Sequence, residues 1–274
     1  MMWGTKAGVG LFALTLFAAG SVATALVVGS PDLADAGAAA DDALVQDLNP
    51  PYDSKYHFLR IQYTVGGGGG FGGRFRGGRE PMWAHDYPRA ERNFLQILSE
   101  TTYIDSQTEG SNIFRFDDPE LFNFPIAYIV EAGSWSPNES ETKAVGDYLL
   151  KGGFLIVDDT RDDRGTRNYD SFAFYIEQAL PDLKLVPLSH DHDIFDSFFQ
   201  IDPLEVLPPY GRGNPMWFGI FEENDPTKRL MVVLNYNNDI AEYWEFSERG
   251  YYPINVANEA YKLGVNYVVY GLTH

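Results

Sequence analysis

Short apolar runs alternate with longer amphipathic stretches along most of this chain. The clearest run is Phe154-Leu155-Ile156-Val157, set between the glycine pair Gly152-Gly153 and the acidic pair Asp158-Asp159. An unbroken apolar run of this length is what a strand buried on both faces requires. The glycines end the helical pattern before it, as glycine at a helix C-terminus does. Similar runs predict strands over 57–65, 125–130, 184–188, 216–221 and 229–236. Between them lie helical patterns. Asp86 and Pro88 open one that buries Ala90, Phe94, Ile97 and Leu98. Ser136-Pro137-Asn138-Glu139 reads as a capping box for one that turns Val145 and Leu149 inward. Asp117-Asp118-Pro119-Glu120 starts a short helix. Asp170 caps one carrying Phe172, Tyr175, Ile176 and Ala179; residues 194–199 form a short aromatic helix. Pro253 opens the last, with Ala257, Tyr261, Val265 and Val268 on one face. Strands alternating with helices imply crossover connections, hence an α/β fold: a mainly parallel sheet with helices on both faces.

The ends of the pattern set the domain limits. Lys6 precedes 7–28, an apolar stretch broken only by Gly, Ser and Thr. Residues 1–29 read either as a secretory signal peptide, with small-x-small cleavage sites at Ala23-Thr24-Ala25 and Ala36-Gly37-Ala38, or as an uncleaved membrane anchor. Both readings place the globular part outside the cytoplasm: periplasmic, secreted, or tethered through 7–28. Residues 30–55, rich in Ala, Asp and Pro, read as a linker, and 56–274 as one α/β domain. Residues 66–79 interrupt that domain with nine glycines and three arginines. This loop follows a strand, where a phosphate loop would sit. It lacks a Gly-Lys-Ser/Thr ending and reads as a flexible insertion.

Composition narrows the function. The net charge is −19, with 39 acidic against 20 basic residues, which argues against a nucleic-acid partner. There is no cysteine, so disulfides, thiolate metal sites and a cysteine nucleophile are excluded. Ser134 follows a strand without the G-x-S-x-G elbow of a serine hydrolase.

The candidate chemistry lies where strands end. In a parallel sheet those ends share one edge, where open α/β sheets bind ligands. His85, Glu131, Asp158, Asp159, Asn235 and Asp239 all follow predicted strands and are expected to meet there. Asp158, Asp159 and His85 are the catalytic candidates. Adjacent carboxylates on a strand point to opposite sides, so one is expected to face the pocket and the other to pair with Arg161 or act as a cap. Asp86 is a helix cap or a ligand at the rim. Asn235, Asn238 and Asp239, with Trp244 nearby, suit polyol recognition, amides gripping hydroxyls and a ring stacking on a sugar; a polar turn explains them equally. His190 and His192, in His190-Asp191-His192-Asp193, are the metal candidates, with helix capping as the ordinary alternative.

Several blocks carry a resemblance: Trp83-Ala84-His85-Asp86-Tyr87-Pro88, residues 149–159, Tyr236-Asn237-Asn238-Asp239 and Ala260-Tyr261-Lys262-Leu263-Gly264-Val265-Asn266. Over about 55–274 the chain resembles a bacterial domain-of-unknown-function family grouped with the class I glutamine-amidotransferase-like fold, near the ThuA-like proteins. The resemblance implies a flavodoxin-like three-layer sandwich and brings no activity, since glutaminase chemistry needs the cysteine this chain lacks. The expectation is a non-catalytic extracytoplasmic module that binds a carbohydrate, an envelope component or a partner protein. The alternative is a hydrolase, with or without an assisting metal, using the Asp and His groups at the sheet edge. The sequence names no cofactor, no substrate and no oligomeric state.

Overall fold

A computed structural model describes residues 49–65, 81–161, 168–209 and 213–274. The leader, most of the linker, the glycine-rich loop and most of the polar loop after Arg161 lie outside these residues. Among the described residues no helix is long and apolar enough to cross a membrane.

Seven strands form one sheet: β1 (Leu59–Ile61), β2 (Asn112–Phe114), β3 (Ile126–Val130), β4 (Phe154–Thr160), β5 (Val186–Pro187), β6 (Met216–Phe221) and β7 (Leu230–Tyr236). Their order is β2-β1-β3-β4-β7-β6-β5. The pairs from β2 through β4 to β7 are all parallel. Only β6 runs the other way, antiparallel to both β7 and β5. No α-helix separates it from β7; the chain reverses through a 3-10 turn, Glu222–Asn224, where Glu223 and Asn224 have φ of 56° each. β2 escapes the sequence pattern because it is three residues long and begins with a buried asparagine, Asn112.

The α-helices are α1 (Arg89–Thr101), α2 (Glu139–Leu150), α3 (Asn168–Ala179), α4 (Ile240–Phe246) and α5 (Ile254–Thr273). Alternate side chains of β3 enter separate apolar clusters. Tyr128 and Val130 join one with residues of α1, α4 and α5. Ala127 and Ile129 join the other with residues of α2 and α3. This two-sided burial is what the apolar runs of β3 and β4 require.

Three helix starts depart from expectation. The capping box of α2 lies two residues later: Asn138 Oδ1 accepts from Glu141 N at 2.9 Å, and Glu141 Oε2 accepts from Asn138 N at 3.0 Å. α3 begins at Asn168, which puts Asp170 in its first turn, where it meets the positive end of the helix dipole. The expected aromatic helix at 194–199 is a single 3-10 turn, Asp193–Phe195. The expected linker ends earlier too. Asn49 bonds both backbone groups of Ile113, donating to its carbonyl at 2.9 Å and accepting from its N–H at 2.8 Å.

Candidate functional site

β1, β3, β4 and β7 all point their C-terminal ends to one edge of the sheet. Four non-glycine residues at that edge adopt left-handed backbone: Asp86 (φ 66°), Glu131 (φ 51°), Asp159 (φ 47°) and Asn237 (φ 52°). Each costs about 1–3 kcal/mol relative to relaxed backbone, and such positions cluster where side chains are aimed for function. The pairing of β4 with β7 shifts register between Val157 and Thr160, with Asp159 inside the irregular stretch. Asp239 raises the carboxyls of both Asp158 and Asp159.

Asp158 is fully enclosed and fully bonded. Tyr128 Oη donates to Oδ2 at 2.8 Å and Asn235 Nδ2 to Oδ1 at 2.8 Å. The backbone N–H groups of Ile240 and Ala241, the first residues of α4, donate to Oδ2 at 3.0 and 3.2 Å. Tyr267 Oη donates to Asn235 Oδ1 at 2.7 Å, extending the network into α5. Burial first, and then Asp239, pushes the Asp158 carboxyl up to about 6, against the opposing pull of these donors. Asp158 thus ties β3, β4 and β7 to the start of α4.

Asp86 is the opposite case. Its side chain has 0% exposure, yet neither carboxylate oxygen accepts a hydrogen bond. It does not cap α1, whose N-cap position is Pro88 with no side-chain bond. The left-handed backbone at Asp86 turns the carboxylate inward, toward His85 and Asp239. Burial first, and then Asp239, holds its carboxyl well above the usual carboxylate range, with Arg60 pulling the other way.

His85 stands between two acidic groups. Nε2 is 3.5 Å from Asp86 Oδ1, and Nδ1 is 3.7 Å from Asp159 Oδ2. Asp159 Oδ1 is paired with Arg161 Nη1 at 2.8 Å, the pairing expected for one of the two aspartates. Burial, Asp239 and Glu131 push the Asp159 carboxyl well up, with Arg161 opposing. One ligand atom from each of His85, Asp86 and Asp239 lies within 4.8 Å of the others; the same holds for His85, Glu131 and Asp159, and for Asp86, Glu242 and Glu245. The imidazole is 22% exposed, whereas Asp86, Asp159 and Asp239 around it are buried.

Buried arginine fixes the loop that delivers His85. Arg60 on β1 donates through Nη1 to the carbonyls of Trp83 and His85, both at 2.9 Å, and pairs through Nε with buried Glu91 of α1. A charged residue inside an apolar strand is costly unless paired, so Arg60 within 57–65 is a signal that could have been read from the sequence. Glu242 and Glu245 belong to α4, a helix that follows a stretch reading as a polar turn.

A family model described as a domain of unknown function, DUF4159, matches residues 58–272. The chain belongs to the DUF4159 family. No match was found among curated proteins. The match spans every strand exit described above. Within this DUF4159 domain, His85, Asp86, Glu131, Asp158, Asp159, Arg161 and Asp239 gather at the strand-exit edge.

The remaining candidates are placed differently. Trp244 is not a stacking platform: it is 2% exposed and stacked on Phe94 with ring centroids 4.4 Å apart, because α4 turns this face into the core. Asn235 and Asn238 are buried. Asn235 bonds within the Asp158 network, and Asp239 Oδ1 caps α4 by accepting from Glu242 N at 3.0 Å. A surface grip on hydroxyls by Asn235, Asn238 and Trp244 is therefore not what the DUF4159 domain presents. His190 and His192 belong to no converging ligand group among the described residues. His192 lines a cleft of about 660 Å3 with Arg229, Phe221 and Tyr270. Arg229 precedes β7 and donates to Gly153 O at 3.0 Å, just before β4, so this cleft lies at the strand-start edge. His192 Nδ1 accepts from Ile194 N at 3.1 Å, the capping role that was its alternative.

Proposed function

We propose that this domain is an extracytoplasmic binding module that holds a divalent cation at its strand-exit edge and recognises an oxygen-rich envelope ligand through it. Asp86 carries this reading. A carboxylate with no exposure and no hydrogen-bond donor, beside Asp239, is unfavourable by itself and becomes favourable with a cation between them. His85, Asp86 and Asp239 are the ligands, and His85, the partly exposed one, marks the side open to an external group. Carboxylate, phosphate or vicinal hydroxyl oxygens complete the shell of such an ion. The extracytoplasmic setting rests on the apolar stretch 7–28. The scaffold inferred is the flavodoxin-like three-layer sandwich of the amidotransferase-like and ThuA-like proteins. It is supported by the order β2-β1-β3-β4-β7, which follows the doubly wound order 2-1-3-4-5 in its first five places.

A second reading, metal-assisted hydrolysis, is favoured by the position of His85 between Asp86 and Asp159. An imidazole oriented by a carboxylate at the rim of a cation site is placed to move a proton. Binding is tested first. The purified full-length chain, stripped with EDTA, is titrated with Mg2+, Ca2+, Mn2+ and Zn2+ and its melting temperature followed. At a free concentration of about 100 times Kd, a bound ion stabilises the folded state by about 2.7 kcal/mol. A rise with wild type and none with Asp86→Asn supports the reading; no rise with any ion overturns it.

A further inference from the structure

Two features of the cluster specify which ion it takes and which neighbour tunes it; both rest on the cation reading above. The cluster does not rest on acidity alone, because Asp86 is buried, accepts no hydrogen bond and offers an oxygen within 4.8 Å of ligand atoms of His85 and Asp239. Each ring nitrogen of His85 has its own carboxylate neighbour: Nε2 is 3.5 Å from Asp86 Oδ1 and Nδ1 is 3.7 Å from Asp159 Oδ2, with no hydrogen bond formed at Nδ1. Asp159 is itself held by Arg161 at 2.8 Å and is 1% exposed, so it cannot swing out to follow the ring. The carbonyl of His85 is fixed by Arg60, so neither partner drifts.

We propose that the site selects a borderline transition ion of the zinc class over magnesium or calcium, ligated through His85 Nε2, with Asp159 as the positioning residue that accepts the proton on His85 Nδ1. Imidazole nitrogen favours zinc-class ions, whereas magnesium and calcium prefer all-oxygen shells. One nitrogen and two carboxylates match a three-ligand zinc site that leaves a position for an external oxygen. A carboxylate on the second ring nitrogen fixes the tautomer and raises the basicity of the ligating one. Losing such a partner typically weakens metal binding 10–100-fold.

The test uses the full-length chain labelled with 15N at histidine. His85→Gln identifies the His85 resonances and separates this site from zinc held elsewhere by His190, His192 or His274. The expected results are zinc binding at least about 100-fold tighter than magnesium or calcium, and 15N shifts showing His85 Nε2 ligated and Nδ1 protonated. Asp159→Asn should weaken zinc about 10–100-fold while leaving circular dichroism and the other histidine signals in place. The wild-type 15N spectrum decides the tautomer even if the Asp159 variant does not fold. Tight binding of magnesium or calcium at equal strength, or ligation through Nδ1, overturns this proposal and leaves the cation reading intact. Absence of binding by every ion sinks both.

Discussion

Replacing Asp86 with asparagine should make the metal-free protein more stable. Asp86 and Asp239 offer oxygens within 4.8 Å of each other, in surroundings with almost no solvent. At that separation two unit charges repel by about 3 kcal/mol at an effective dielectric constant of about 20. Glu242 and Glu245 add to the repulsion and Arg60 subtracts from it, by less than Asp239 contributes. Asparagine keeps the shape, removes the charge and supplies an N–H donor that can point at Asp239. The expected gain in EDTA at pH 8 is about 1–3 kcal/mol, seen as a melting temperature higher by about 2–4 °C per kcal/mol. At pH 5 the wild-type carboxyl is more protonated and the gain should shrink. With a saturating cation the order should invert, because the variant has lost a ligand. Thermal and urea denaturation of both proteins, each with EDTA and with cation, checks all four corners. A variant less stable by more than about 1 kcal/mol in EDTA at pH 8 would refute the reasoning, since that is the minimum loss expected if Asp86 were an ordinary buried acceptor.

Other consequences follow from neighbouring groups. Asp158→Ala strands the Tyr128, Asn235, Ile240 and Ala241 donors and should cost about 3–5 kcal/mol in urea denaturation, whether or not metal is present. Metal-free stability should fall as pH rises. The folded Asp158 carboxyl titrates at about 6 against an ordinary 3.8, so between those values the folded state holds the extra proton, and stability is full below the window and lost across it. Asp86, Asp159 and Glu91 are shifted the same way, so a flat or rising profile from pH 4 to 7 in EDTA would contradict the charges assigned here. Arg60→Met should cost about 3–5 kcal/mol by leaving Glu91 buried and unpaired, and Arg60→Met with Glu91→Leu should recover most of it. Gly264→Ala should cost about 1–3 kcal/mol by overpacking, because the added Cβ would lie 2.5 Å from Trp244 Cζ2 and 2.6 Å from Phe94 Cε2.

What the sequence makes legible follows from which forces act locally. The apolar runs of β3, β4 and β7 have to be buried on both faces, so these strands, their direction and their shared exit edge can be read from the pattern. Convergence of His85, Glu131, Asp159 and Asp239 follows from that topology. Two things resist such reading. One is α4: its apolar face is short, and its opening Asn237-Asn238-Asp239 has the composition of a turn. Only tertiary packing of Trp244 on Phe94 shows that the segment faces the core. The other is orientation at the edge itself, where the regular rules stop applying.

A register shift of β4 against β7 sets Asp159 in left-handed backbone beside His85 and Arg161, while Asp158 bonds to Tyr128, Asn235 and the start of α4. Capping preference would have given Asp86 to α1; a left-handed turn gives it to His85 instead. At Asp86 and Asp159 the chain departs from the locally favoured backbone, and both departures set a carboxylate beside His85. Strain and like-charge repulsion both oppose that gathering, and burial strengthens the opposition. Asp158 has its compensation within the protein, in four donors from three elements. Asp86 accepts no hydrogen bond there, and an external positive charge would relieve both its missing bonds and its repulsion from Asp239.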